Sequence, residues 1–322
     1  MKTREKPMAF IGFSANPEII VRIDRLRESE KAPLEEMTCE LGGTSSNVAK
    51  AMAKMGIATT LYALTGYNDD FYSHCFRYAL AHSPGIHTVE FPILEQGHMA
   101  FIPIDGVKKT SQVFGYKGTI QPNKITNCIE IIKKDAAEAK NVWRIATGVR
   151  PPEANLVKAL FGENHGFRYL NPRLDLIQSK DLFFDLLKET DVLVINHTEY
   201  EACTHYKEIG SRSDIQKIFG VSLVVVTKDK DGGKYSLSNN VTEVAEKFDA
   251  CTDYLSEGIE IFCTGAGDWF AGALVSRFVK LGKSILDITK EEIIDAIKFA
   301  SRVAGKKITM RGAGNGPSES DL

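Results

Sequence analysis

The 322-residue chain lacks most of the features that assign a protein at a glance. It has no CxxC pair. Its six cysteines stand apart at 39, 75, 128, 203, 251 and 263, which argues against a zinc knot or a redox dithiol and predicts reduced, mostly buried thiols. It has no charge excess: 40 Lys and Arg face 42 Asp and Glu, so no basic surface points to nucleic acid or an anionic membrane. Its seven histidines show no metal-ligand spacing. The apolar run near the start, Met8 to Phe13, covers about six residues, too few for a signal-peptide core or a membrane span. There is no GxxxxGK[ST] phosphate loop, no repeat, no low-complexity tract and no clear linker. These absences predict one cytoplasmic unit over residues 1–322.

What is present alternates. Short β-branched or aromatic runs (MAFIGF, TTLYAL, NVWRIAT, DVLVIN, SLVVVTK) take turns with helical patterns (NVAKAMAKMG, KITNCIEIIKKDAAEAK, PPEANLVKALF, KDLFFDLLKET, KEEIIDAIKFASRVAGKKI). That rhythm predicts an α/β fold with a mostly parallel central sheet flanked by helices on both faces, and the nearly continuous apolar runs suit strands buried on both sides. Two stretches break the rhythm, residues about 14–40 and about 95–120, the second with a hairpin signal at Asp105-Gly106. They predict a small inserted β element, a lid.

One stretch combines turn and acid. Gly265-Ala266-Gly267 precede Asp268 and then an apolar helical stripe of Phe270, Leu274, Val275, Phe278, Val279 and Leu281, with a β-like piece at Ile259 to Phe262 before them. A glycine turn opening a helix exposes unpaired backbone N–H groups at the positive end of the helix dipole, so an anion can bind there. Asp268 has a bland reading as a first-turn acid and a sharp one as a base beside a phosphate cradle. The dinucleotide fingerprint fails, because GAGDWFAG lacks its third glycine and lies far from the first strand. RGAGNG at 311–316 reads as a loop.

GAGDWF followed by AGAL resembles the C-terminal signature, commonly DTTGAGDAF, of the ribokinase-like (PfkB) carbohydrate kinases. Leu41 to Gly56, LGGTSSNVAKAMAKMG, resembles the family's N-terminal signature. YLNPR at 169–173 is similar to its D-P-N-x-R strand end, VINHTEYEA at 194–202 to its N-x-x-E segment, VVVTKDKDGG at 224–233 to its V-V-T-x-G-x-x-G turn, and MRGAG near the end to its R-x-G-A. The matches are collinear over most of the chain. The resemblance implies a ribokinase-like fold with ATP and Mg²⁺ as cofactors. It implies Asp268 as catalytic base and Gly265, Ala266 and Gly267 as the anion hole, with Gly265 also at the nucleotide. Gly42, Gly43 and Asn47 would meet the acceptor; Asn196, Thr227 and Gly232 would lie along the nucleotide. Glu199 would place Mg²⁺ through water, and Arg173 and Asn171 would touch substrate. The inserted sheet would close over the acceptor and form a homodimer contact.

Each position also has an ordinary reading. Gly42-Gly43 can be a turn before a helix, Asn47 an N-cap-type residue, Asn196 a cap, Glu199 a first-turn acid and Arg173 a structural arginine. His98 falls in the lid stretch, where a structural role outweighs a substrate contact. The sequence departs from the family pattern as well. Phe262-Cys263 replace the leading Asp-Thr, whose Asp helps bind an activating potassium ion in many members, and an aromatic ring cannot coordinate a cation as a carboxylate does, which argues against potassium activation. Trp269 replaces a small residue after the base, Asp229 a glycine, and Tyr169 an aspartate. Asn16 and Glu18 stand where many members carry a sugar-binding Asp; Asn16-Pro17 is similar to phosphosugar kinases, but Thr44 stands where those carry Lys. Three functions remain open: a kinase for the hydroxymethyl group of a sugar or sugar acid, a nucleoside or phosphosugar kinase, and a nucleotide- or sugar-binding protein that has lost turnover.

Overall fold

The computed structural model describes residues 8–24, 34–107, 110–139, 142–162, 167–256 and 259–322. Positions 25–33 of the first inserted stretch and 108–109 of the second therefore lie outside the described residues. The chain begins with β1 (Ala9–Phe13), β2 (Asn16–Ile23), β3 (Leu34–Gly42) and α1 (Thr44–Lys54), followed by β4 (Thr59–Gly66), α2 (Phe71–Ala81) and β5 (His87–Leu94). Next come β6 (Met99–Asp105), β7 (Thr110–Ser111), β8 (Phe114–Tyr116), α3 (Ile125–Glu138), β9 (Trp143–Val149), α4 (Ala154–Phe161) and β10 (Phe167–Pro172). The last third holds α5 (Leu174–Gln178), α6 (Lys180–Leu187), β11 (Val192–Asn196), α7 (His197–Thr204), α8 (Arg212–Phe219), β12 (Leu223–Thr227), β13 (Gly233–Ser238), β14 (Glu243–Phe248), α9 (Ala266–Leu281) and α10 (Lys290–Lys307).

Nine strands form the large sheet in the order β14-β13-β12-β11-β10-β9-β1-β4-β5, parallel except for β13 and β14. Alternate residues serve opposite faces, as the two-residue strand period requires. Ile11, Leu61, Ile145 and Val225 pack on the face covered by α1, α9 and α10, while Phe10, Tyr62, Ala146 and Val224 pack on the other. Both faces are therefore apolar, which is why the strands read as unbroken hydrophobic runs. Of the predicted strands, only Ile259–Phe262 is not one. Ile259 and Ile261 are exposed and Phe262 N–H makes a single bond to the Ile308 carbonyl at 2.7 Å, so no ladder forms. All six cysteines are free thiols; only Cys128 and Cys203 are fully buried, and Cys263 is exposed on the turn before α9.

The two stretches that broke the rhythm pair with each other. β2 and β3 are antiparallel, β2 runs parallel to β6, and β7 and β8 fold back on β6 as the Asp105-Gly106 signal predicted. This five-stranded sheet has two faces fixed by register. Glu18, Ile20, Thr38, Glu40, Ile102 and Ile104 line a cleft of about 380 Å³ against Phe262, Cys263, Thr264 and the Arg311–Ala313 loop. Among the described residues no helix is long and apolar enough to cross a membrane.

Candidate active site

The large sheet changes direction between β1 and β9: the chain moves outward through β4 and β5, then returns to the other side of β1. The carboxyl ends of parallel strands at such a switch leave a crevice. Here Ser14 N–H donates to Ser45 Oγ at 3.0 Å, Ser45 N–H donates to the Ser14 carbonyl at 2.9 Å, and Ser45 Oγ lies 3.0 Å from Thr147 Oγ1. These bonds seat the start of α1 over the strand ends. The preceding glycines are required by space. Any Cβ at Gly42 would strike the Glu18 carboxyl, and Gly43 has φ +89° with the Ser14 carbonyl 2.7 Å from where a Cβ would sit.

A second cleft, of about 420 Å³, runs along the same strand ends. It is lined by Thr44, Gly148, Tyr169, Asn171, Arg173, Asn196, Glu199, Thr227, Gly267 and Asp268 among others. The structure thus brings Asn196, Thr227, Glu199, Arg173 and the Gly267-Asp268 turn together. Asn196 caps α7, accepting from Glu199 N–H at 2.9 Å, and Glu199 Oε2 accepts from Asn196 N–H at 2.9 Å. This reciprocal capping box is the ordinary reading of both residues, and it also points the pair into the cleft. Burial raises the Glu199 carboxyl above its usual range, against the Asn196 hydrogen bond and Arg173. Gly232 is not part of this lining: it turns the chain with φ +73° against the Phe248 carbonyl. Asn16 is likewise outside both clefts, buried beside Gly43 with its amide donating to the Pro17 carbonyl at 3.2 Å.

The turn before α9 contributes to both clefts, with Cys263 and Thr264 on one side and Gly267 and Asp268 on the other. Gly265 is the N-cap with φ +85°, its Cβ position 2.5 Å from the Ala313 carbonyl. The predicted three-residue hole needs one change. Ala266 N–H donates to the Cys263 carbonyl at 3.1 Å, whereas among the described residues no acceptor meets the N–H groups of Gly267 and Asp268. A Cβ at Gly267 would meet nothing within 4 Å, so the turn is open on that side.

Asp268 Oδ2 accepts from Asn47 Nδ2 at 2.8 Å. Burial pushes its carboxyl up to about 7; the Asn47 bond and Lys307 oppose that, and the Glu18 charge adds to it. Glu18 is buried, accepts from Gly43 N–H at 3.2 Å, and is itself raised by burial. Trp269 is fully buried and its Nε1 donates to the Ala313 carbonyl at 3.0 Å, so it fills the space behind the turn and ties down the 311–316 loop. Among the described residues the buried Tyr169 hydroxyl has no hydrogen-bond partner, and it feels the charges of Asp268 and Glu199. His98 is structural: buried, held neutral with its pKa down to about 3 chiefly by burial, Nδ1 accepting from Gly118 N–H at 2.9 Å.

Sequence reading passed over Gly148, Lys117, Arg150 and Lys307. Gly148 and Arg150 follow a predicted strand end, which was a usable signal. Lys117 and Lys307 carried none, since a lysine in a loop or a helix's last turn is ordinary.

A profile of the pfkB family carbohydrate kinases matches residues 14–321. The chain belongs to that family. By that membership it is a kinase, a phosphotransferase with an alcohol group as acceptor. It is 27% identical over 284 residues to a ribokinase of Staphylococcus aureus, covering 84% of this chain and 83% of that one. It is 25% identical over 249 residues to a nucleoside kinase of Methanocaldococcus jannaschii, covering 74% and 72%. The ribokinase structure from Thermotoga maritima superposes with a TM-score of 0.70 at 19% identity, over 98% of this chain and 97% of that one. The fold is ribokinase-like.

Proposed function

We propose that this kinase moves the γ-phosphate of ATP to a hydroxymethyl group of a sugar or sugar acid, with Asp268 as general base. The observation that carries the reading is the position of Asp268 on the one turn shared by both clefts, its carboxyl tuned to about 7. A base poised near neutral pH can take a proton and still be ionised often enough to act. The acceptor would enter beneath the small sheet, between Glu18, Gly43 and Asn47, and the nucleotide would lie over Asn196 and Thr227.

The acceptor hydroxyl gives its proton to Asp268 as its oxygen bonds to phosphorus and the bond to the ADP leaving oxygen breaks. The free N–H groups of Gly267 and Asp268, at the positive end of α9, receive the charge on the moving phosphoryl oxygens. Among the described residues no cluster of three metal-ligating side chains occurs. Mg²⁺ in a kinase is commonly held by one or two carboxylates, waters and the nucleotide phosphates. Glu199, with Oε1 outside the capping box, would hold it through water, and it would neutralise the β- and γ-phosphate oxygens. The small sheet would act as the lid that excludes water.

Within this reading an acidic acceptor is favoured. Lys117, exposed and outside both cleft linings, has its ammonium lowered by desolvation, Arg150 and Arg173 against the opposing charges of Glu153 and Glu18. Among the described residues Lys117 has no ion-pair partner. A carboxylate or phosphate on the acceptor would give Lys117 an anion to meet, Arg150 being already paired with Glu153 at 2.6 Å. The test is ADP release from Mg·ATP over neutral sugars, sugar acids, phosphosugars and nucleosides, with Asp268→Asn beside it. An acidic sugar that raises turnover, with loss in the variant, supports the proposal. A nucleoside or neutral sugar as sole acceptor overturns the acidic preference. ATP binding with silence across the panel shifts the reading to a binding protein.

The outer face of the small sheet carries Met37, Phe101, Phe114 and Tyr116, all exposed, with Phe101 and Phe114 directly paired across strands. An apolar surface of this kind marks an interface, and the proposed occupant is the same face of a second copy.

A further inference from the structure

Lys307, the last residue of α10, is 0% exposed. Its ammonium donates to the Met310 carbonyl at 3.1 Å, and among the described residues no carboxylate forms an ion pair with it. A buried charge without a counter-ion is costly. The titratable groups it interacts with are the Asp268 carboxyl on α9 and the Cys263 thiol on the turn between the clefts. Those facing Asp268 in turn are Glu18 from β2 and Lys307; the Tyr169 phenol from β10 also lies within its reach. The backbone joins the two regions: Phe262 N–H donates to the Ile308 carbonyl at 2.7 Å. A fixed cation therefore sits behind a helix N-terminus that is itself positive, a place that becomes favourable when an anion arrives on the other side of the turn.

We propose that Lys307 is a positioning residue for phosphoryl transfer. Its ammonium supplies positive charge behind the Cys263–Asp268 turn, favours the ionised form of Asp268 and draws the transferring phosphoryl group to the Gly267 and Asp268 N–H groups. It is a tethered monovalent cation, so turnover needs none from solution. This inference rests on the kinase reading above.

The experiment compares wild type, Lys307→Met and Lys307→Ala in KCl, ammonium, methylammonium and choline chloride. Wild-type turnover is expected to be the same in all four. Lys307→Met is expected to lose about tenfold or more in kcat, with an unchanged melting temperature and the acid limb of its pH–rate profile moved upward. Lys307→Ala is expected to regain part of its turnover in ammonium or methylammonium and none in choline. A Met variant with wild-type kcat and pH limb overturns the proposal. So does a loss that follows the melting temperature, without rescue and without a limb shift, since that is the signature of a lysine that only caps its own helix. Should neither variant fold, the wild type decides through its ATP-to-ADP affinity ratio by calorimetry. That ratio reads the γ-phosphate without turnover. It should fall with rising pH as the Lys307 ammonium, lowered by burial to about 8, loses its proton, and a flat ratio overturns the proposal. The same ratio still decides Lys307 if no acceptor is turned over, which is the separate failure of the kinase reading.

Discussion

Asn47 and Asp268 lie 221 residues apart in the chain and 2.8 Å apart in space. The contact follows from two helices that approach closely. One turn along from Asn47 stands Ala51; one turn along from Asp268 stands Gly272. A Cβ at Gly272 would fall 2.6 Å from that of Ala51 and 3.0 Å from the Val48 carbonyl. Residues four apart share a helix face, so the small pair that lets α1 and α9 touch also brings amide and carboxylate together.

Asn47 lowers the Asp268 carboxyl that burial raises. Turnover should therefore rise as pH passes upward through about 7, where Asp268 becomes ionised. In Asn47→Ala the limb should move to higher pH, with a lower plateau. Coincident limbs in kcat against pH would remove Asn47 from the role.

Asp268→Asn should separate activity from stability. Loss of a general base costs about 10²–10⁴ in rate. The Asp268 carboxyl is raised from 3.8 to about 7 in the folded state, so its contribution to stability is complete below the lower value and is lost as pH rises through the upper one. The variant should melt at or above wild type at alkaline pH and lose that advantage in acid. Thermal melts at both ends of the range check this; a variant less stable at alkaline pH contradicts it.

The two turn glycines should behave differently. Gly265→Ala meets a left-handed φ and the Ala313 carbonyl, so it should destabilise the fold and lose activity with it. Gly267→Ala meets no atom within 4 Å, so it should melt like wild type yet bind ATP more weakly and turn over slowly, since its methyl would stand where the phosphoryl group is proposed to come in. Wild-type kinetics in Gly267→Ala would place the anion elsewhere.

Trp269→Ala should cost about 3–5 kcal/mol in denaturant unfolding, the range for emptying a large aromatic site. It also removes the bond to Ala313 and so loosens the 311–316 loop. A cost under about 1 kcal/mol would mean that the pocket collapses around the gap.

In solution the protein should run at twice 35.6 kDa. Replacing Phe101 and Phe114 together by Glu should give the monomer, read by light scattering. A monomeric wild type would leave the exposed apolar face without its proposed partner.

The fold class was legible in the residue order alone, because apolar runs of strand length between helical periods have one economical packing, a sheet covered on both faces. The sequence located the turn at Gly265–Asp268 and the glycines at 42 and 43, since close approach and positive φ leave a residue-type mark. It also marked Asn196 and Glu199, whose capping box is local chemistry. It misread Ile259–Phe262 as β-like, because a strand needs a neighbour to complete its ladder and none is offered there among the described residues. Only the tertiary structure decided which residues meet. Asn47 reaches Asp268 through helix packing, Glu18 reaches Gly43 through the register of the small sheet, and Lys307 becomes a buried cation only because α10 ends beneath the turn that opens α9. A lysine's composition is the same in water and in a core; its chemistry depends on what surrounds it, and that depends on contacts between residues far apart in the chain.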